Sequence, residues 1–229
     1  IEISPRLAAE AGVRPTPSGD DRASELILFE NKQVLACNKP VGMLTHGKSS
    51  LTGSVLSYLN RSSRSSLSFT PGPMHRLDRN SSGIVLFPKT LEAARSFSRL
   101  QAEGGTSKEY AVVLGGLLRK EARWEDELLR EGGITRPAAA SERGKPALTE
   151  VEPVATAQDG HRWYTLARCR LAGGRTHQIR AQAAAHGLPL EGDRKYGGQK
   201  QGSGYLLHAY CLRLLEQHAA DQLGFEALY

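Results

Sequence analysis

No stretch of about 18 apolar residues occurs in the 229-residue chain, so no segment is suited to cross a membrane as a helix. Cysteine is scarce: Cys37, Cys169 and Cys211 form no C-x-x-C pair, and each sits in an apolar stretch. Buried, reduced thiols of an intracellular protein fit this pattern better than disulfides or thiolate metal sites. The histidines form neither H-E-x-x-H nor any tight ligand cluster, so no zinc or other metal site is expected. No G-x-x-x-x-G-K-[ST] and no G-x-G-x-x-G is present, which leaves nucleotide phosphate-loop folds unsupported. A G-x-S-x-G nucleophile elbow is missing as well.

What is there is ordinary in bulk. Hydrophobic residues make up 39% and charged residues 24%, and the length allows one well-buried domain or two small ones. Lys and Arg number 30 against 24 Asp and Glu, a net charge of +6. A basic surplus suits a polyanionic partner, because cations that neutralise phosphates release condensed counterions. It is equally compatible with a merely soluble basic protein.

Residues 1–24, rich in Pro, Ser, Ala and charge, read as a flexible or peripheral arm. Strands are predicted at 26–29, 34–37, 84–87, 110–114 and 163–171, with a last apolar stretch at 206–215. A short helix fits 53–60, followed by a basic loop carrying Arg61 and Arg64. Thr90 is placed to cap a helix running to about Glu103, its stripe formed by Leu91, Ala94, Phe97 and Leu100. Another helix should start near Thr176 and end at Gly187, with Pro189 beyond. Residues 119–145 are expected to be an irregular excursion. Strands outnumber helices without regular βαβ alternation, which points to an α+β fold on a mixed, largely antiparallel sheet.

Four clusters could carry chemistry. Met74 to Gly83 holds Asp78 between Arg76 and Arg79, just before the apolar run at 84–87. Nearby positive charge would keep that carboxylate ionised, as a nucleophile or a base. Taken alone, an ordinary Asp/Ser turn with surface arginines explains the segment better. In Gly173 to Arg180, two glycines allow close backbone approach, and the helix start favours anionic groups. His177 and Arg180 are three apart, on one helical face. A helix packed on the sheet would carry Arg180 into or beside the core, where a buried arginine needs a carboxylate, for which Asp78 is a candidate; taken alone, the segment is better explained by a solvent-facing arginine after a helix-capping loop. Lys108 and Tyr110 share one face of a strand, a cation beside a ring that could stack on a base. Glu191 to Gly198 is a turn-rich loop that by itself indicates little more than a loop.

Together these segments resemble the RluA-type pseudouridine synthases. The resemblance rests on HRLDRNSSG at 75–83, the Asn38-Lys39-Pro40-Val41-Gly42-Met43 stretch, Lys108-Glu109-Tyr110, and Gly144 to Thr149. GGRTHQIR at 173–180, Gly187 to Pro189, GDRKYGG at 192–198 and Leu207-His208-Ala209 complete it, in the family's order, over about residues 26–215. It implies a pseudouridine synthase fold, with residues 25–229 as a single catalytic domain and no separate N-terminal RNA-binding domain ahead of it. It implies uridine isomerisation in structured RNA, transfer or ribosomal, with Asp78 as the catalytic aspartate. Tyr110 would stack on the target base, Arg180 would pair with the aspartate, and Arg76 would fill the space left by a flipped-out uridine. His75, Arg79, Lys108, Arg175, Thr176, His177 and Leu207 are the further substrate-binding candidates, and Arg61, Arg64, Arg194 and Lys195 extend the basic surface. No cofactor is expected. The enzyme would be a cytoplasmic monomer, or organellar if its source is eukaryotic. Ser81 replaces the usual threonine and keeps the hydroxyl. Gln182 stands where many members have histidine, a change expected to bear on substrate contacts. A catalytically silent RNA-binding protein is the alternative, disfavoured by the presence of Asp78, Tyr110 and Arg180. A glycosidase would need a second well-placed carboxylic acid near the motif.

Overall fold

A computed structural model describes residues 2–3, 24–47, 49–62, 69–199, 204–215 and 223. In chain order its elements are β1 (Glu2–Ile3), β2 (Ile27–Glu30), β3 (Val34–Lys39), α1 (Leu51–Ser62), β4 (Ser82–Pro88), α2 (Leu91–Ala102) and β5 (Thr106–Gly115). They continue with β6 (Ala122–Glu131), β7 (Ile134–Pro137), β8 (Lys145–Asp159), β9 (Arg162–Ala172), α3 (Gln178–Ala185) and β10 (Leu207–Leu214). Two compact units emerge, one of Ile1–Thr106 with Tyr210–Tyr229 and the other of Ser107–Ala209. The expected arm lies outside the described residues except for β1, which pairs with Leu212 and Arg213 of β10. Arg64 of the basic loop also lies outside them.

In the first unit β2, β3 and β4 form an antiparallel ladder in which Val34 to Lys39 pair with Pro88 to Gly83. Both faces of β4 are covered, so its Ile84-Val85-Leu86-Phe87 run is continuously buried. The helix α2 begins where Thr90 accepts a bond from the Ala93 amide at 3.1 Å. Its buried stripe is Ala93, Ser96, Phe97 and Leu100, while Leu91 is exposed. The expected three-residue spacing fails because each such step falls about 60° short of a full turn, so Leu91 and Leu100 cannot share a face. Phe97 and Leu100 meet Val34, Ala36, Ile84, Leu86, Leu212 and Leu214 in one core.

The second unit is an antiparallel sheet in the order β5-β9-β8-β6-β7. The excursion expected at 119–145 is instead the β6–β7 hairpin and the start of β8. Gly132 and Gly133, at φ 55° and 81°, make the two-residue turn that right-twisted strands require. The alternation was hidden because one inward position between Trp124 and Leu128 is Asp126, a polar residue. Asp126 accepts bonds from Gln182 at 2.7 Å and His186 at 3.2 Å. The helix α3 starts two residues later than expected, because His177 adopts a left-handed conformation, φ 57°. Both units combine antiparallel ladders with helices, so the α+β class holds.

Candidate active site

Asp78 sits on a loop that the first unit ties down from behind. Lys39 ends β3 fully buried, and its ammonium donates to the carbonyls of Pro40 at 2.9 Å, Met43 at 2.8 Å and Arg79 at 3.2 Å. Burial pushes the Lys39 pKa down to about 8, partly countered by the Asp78 carboxylate nearby. Gly42, at φ 84°, donates its amide to Arg79 at 2.8 Å, and Arg79 returns a bond to the Gly42 carbonyl at 3.0 Å. Thr45 bridges both backbone groups of Leu77, at 2.9 and 3.2 Å, and the Ser81 amide closes a turn on the Asp78 carbonyl at 3.1 Å. His75 accepts from the Leu86 amide at 3.4 Å and stacks on Phe97, which directs it toward the core. Arg76 and Arg79 are exposed, while Asp78 is partly buried. The loop is thus tied to β3 through Lys39 and to β4 through the bonds of Met74 and His75 with Leu86, while Gly42, Thr45 and Ser81 bond loop to loop.

In the second unit Lys108 and Tyr110 lie buried on β5, opposite Leu171 and Cys169 of β9. Glu109 points the other way and pairs with Arg170 at 3.1 Å. Lys108 has no carboxylate partner among the described residues, and burial lowers its pKa to about 8. Arg180, buried in the first turn of α3, meets Asp193 through Nε at 2.6 Å and Nη2 at 2.9 Å. Its guanidinium lies over the rings of Tyr196 and Tyr205, 4.8 and 4.4 Å from their centroids. His177 reaches the same Tyr196 through Nδ1, 2.7 Å from the hydroxyl, so it and Arg180 converge despite the late helix start. Arg175 is exposed, the Thr176 carbonyl accepts from Thr135 at 2.8 Å, and Leu207 is buried at the start of β10.

The buried arginine was therefore legible, but Asp193, Tyr196 and Tyr205 were not. The only signal for Asp193 and Tyr196 was the glycine pattern of GDRKYGG, and Tyr205 lies outside it. Gln182 also needs revision. It is fully buried and bonds to Trp124, Asp126, Ala147 and Thr149, so it ties α3 to β6 and β8. All three cysteines are buried and form no disulfide, and burial pushes the Cys169 thiol up to about 12. Among the described residues no group of three or more His, Cys, Asp or Glu could hold a metal ion, and no helix could cross a membrane.

The sequence model of the family described as RNA pseudouridylate synthase matches residues 33–185, a span that contains Asp78, Tyr110 and Arg180. The chain belongs to that family. Ribosomal large subunit pseudouridine synthase C of Salmonella typhi is 31% identical over 217 residues, covering 89% of this chain and 66% of that protein. The Escherichia coli K12 protein of the same name is 31% identical over 219 residues, with the same coverage. An uncharacterized RNA pseudouridine synthase of Bacillus subtilis strain 168 is 32% identical over 209 residues, covering 88% and 68%. The chain thus spans about two thirds of the length of these relatives. Among solved structures, human RNA pseudouridylate synthase domain containing 1 aligns at TM-score 0.71 and 21% identity, covering 84% of this chain and 79% of that one. The human domain-containing 4 protein aligns at 0.70 and 19%, covering 90% and 96%. These likenesses establish the pseudouridine synthase fold, and the RluA-type expectation stands.

Proposed function

We propose that residues 25–229 work as one catalytic domain that converts specific uridines of structured RNA to pseudouridine, with Asp78 as the catalytic aspartate. Ribosomal RNA is the favoured substrate, since relatives over 30% identical are named for the large ribosomal subunit. The observation that carries the reading is the anchoring of the Asp78 loop. A binding protein has no need of a carboxylate held by Lys39, Thr45 and a glycine turn amid exposed arginines. The glycosidic bond from ribose C1′ to uracil N1 breaks, a bond from C1′ to C5 forms, and the C5 proton leaves as N1 regains one. Nothing is oxidised or reduced. Asp78 acts either as nucleophile at C1′ or as base on the 2′ proton.

Tyr110 and Arg180 complete the catalytic set. Stacking on Tyr110 offsets part of the cost of extruding the base, at about 1–3 kcal/mol. Arg76 fills the vacated space in the RNA, a task its exposure permits. Arg79, Lys108, Arg175, Thr176, His177 and Leu207 contact the substrate, while His75 supports it through the loop it packs. The enzyme works as a cytoplasmic monomer.

Asp78→Asn is expected to bind unmodified large-subunit ribosomal RNA within about threefold of wild type and to lose at least about 10³-fold in rate. Pseudouridine formed by that variant at a wild-type rate would remove Asp78 from the chemistry. Binding without product from the wild-type chain would favour the catalytically silent alternative. Mapping pseudouridines lost from a strain without the protein identifies the target uridine.

A further inference from the structure

We propose that Asp193 is a positioning residue for Arg180, with Tyr196 and Tyr205 completing its seat. The proposal rests on the reading of Arg180 as a residue of the reaction site. Asp193 is 1% exposed and engages two of the three guanidinium nitrogens, at 2.6 and 2.9 Å. This fork fixes both the distance of the charge and the rotation of its plane, which a single contact does not. The two tyrosine rings beneath the guanidinium limit its tilt.

The loop that delivers Asp193 is built to one shape. The Asp193 amide bonds to Leu190 at 3.1 Å, and its carbonyl accepts from Tyr196 at 3.0 Å and Gly198 at 2.9 Å. A Cβ on Gly192 would lie 2.2 Å from the Gly204 carbonyl oxygen, and one on Gly198 would lie 2.1 Å from that of Leu190. The Tyr196 hydroxyl accepts from the Thr135 amide at 2.9 Å and bonds His177 Nδ1 at 2.7 Å. One atom thus joins β7, this loop and the entry to α3. An arginine that only needed a counter-charge would not require a glycine-built loop and two rings. Direction is what this arrangement adds.

A purely structural salt bridge predicts something different, and a double-mutant cycle separates the two. In the full chain, on an unmodified transcript of large-subunit ribosomal RNA, Asp193→Asn should lower the single-turnover rate about 30-fold while RNA Kd stays within about threefold. Added to Arg180→Gln, it should cost less than about twofold more, because both changes remove one device. Asp193→Glu should restore part of the rate. A wild-type rate per folded Asp193→Asn molecule, or losses that multiply independently, overturns the proposal. If Asp193→Asn shows no cooperative melting, Tyr205→Leu decides. That variant leaves the ion pair in place and should lower the rate about fivefold, again without effect on Arg180→Gln; an unchanged rate overturns the proposal. Wild-type rates from Arg180→Gln itself would instead bring down the reading of Arg180, and the seat with it.

Discussion

The Asp78 loop and the Arg180 helix solve the same problem by opposite means. In the first unit the bonds fall on the backbone that carries the side chain: the Gly42 amide meets the Arg79 carbonyl, the Ser81 amide meets the Asp78 carbonyl, Thr45 holds both backbone groups of Leu77, and one buried lysine ties three carbonyls together. In the second unit the backbone is a regular helix, and the side chain is aimed by other side chains, Asp193, Tyr196 and Tyr205. Backbone-held groups should tolerate changes in neighbouring side chains and respond to changes at the anchor. Side-chain-held groups should fail one partner at a time.

Three changes probe that contrast, from the largest expected effect to the smallest. Gly198→Ala forces a Cβ to within 2.1 Å of the Leu190 carbonyl oxygen and 2.6 Å of the Asp193 amide. It should destabilise the fold by about 2–4 kcal/mol in denaturant titrations and lower the rate with it. Failure to shift the midpoint would mean that the loop yields, and that Asp193 is not rigidly delivered. Lys39→Met removes the staple while filling the same volume. The rate should fall about 10- to 100-fold with a stability loss of about 1–3 kcal/mol, since three carbonyls lose their donor. A rate within twofold of wild type would show that the remaining backbone bonds suffice.

Lys108→Met tests the cost of a buried cation. Burial holds the Lys108 pKa near 8, below its ordinary 10.5, so the unfolded chain binds more protons between those values. Folding stability from this group is therefore complete above pH 10.5 and lost as pH falls through about 8. Lys108→Met should be more stable than wild type at pH 7 by about 1–3 kcal/mol, and the gap should narrow as pH rises toward 10.5. A pH-independent gap would exclude the charge as its source. Activity should fall despite the gain in stability.

Legibility followed the range of the interactions. The capped helix α2, the strand at 84–87 and the α+β class depend on near neighbours in the chain, and all were readable. The β6–β7 hairpin was missed because Asp126 interrupts its apolar alternation, and its partners Gln182 and His186 lie about 60 positions away. The start of α3 was misplaced because His177 leaves the helix to reach Tyr196. Gln182, where the family resemblance suggested an effect on substrate contacts, belongs to the same long-range network.

Sequence alone determined that the chain carries a family's chemical residues in order, because reactive side chains must be present as such and cannot be replaced by packing. It also pointed to Arg180 in or beside the core, where burial would call for a carboxylate. Only the tertiary structure decided that Asp193 meets it, that two tyrosines lie beneath it, and that Lys39 anchors the loop bearing Asp78. Those assignments depend on which groups distant in the chain are brought into contact, a property of the folded chain that residue spacing does not encode.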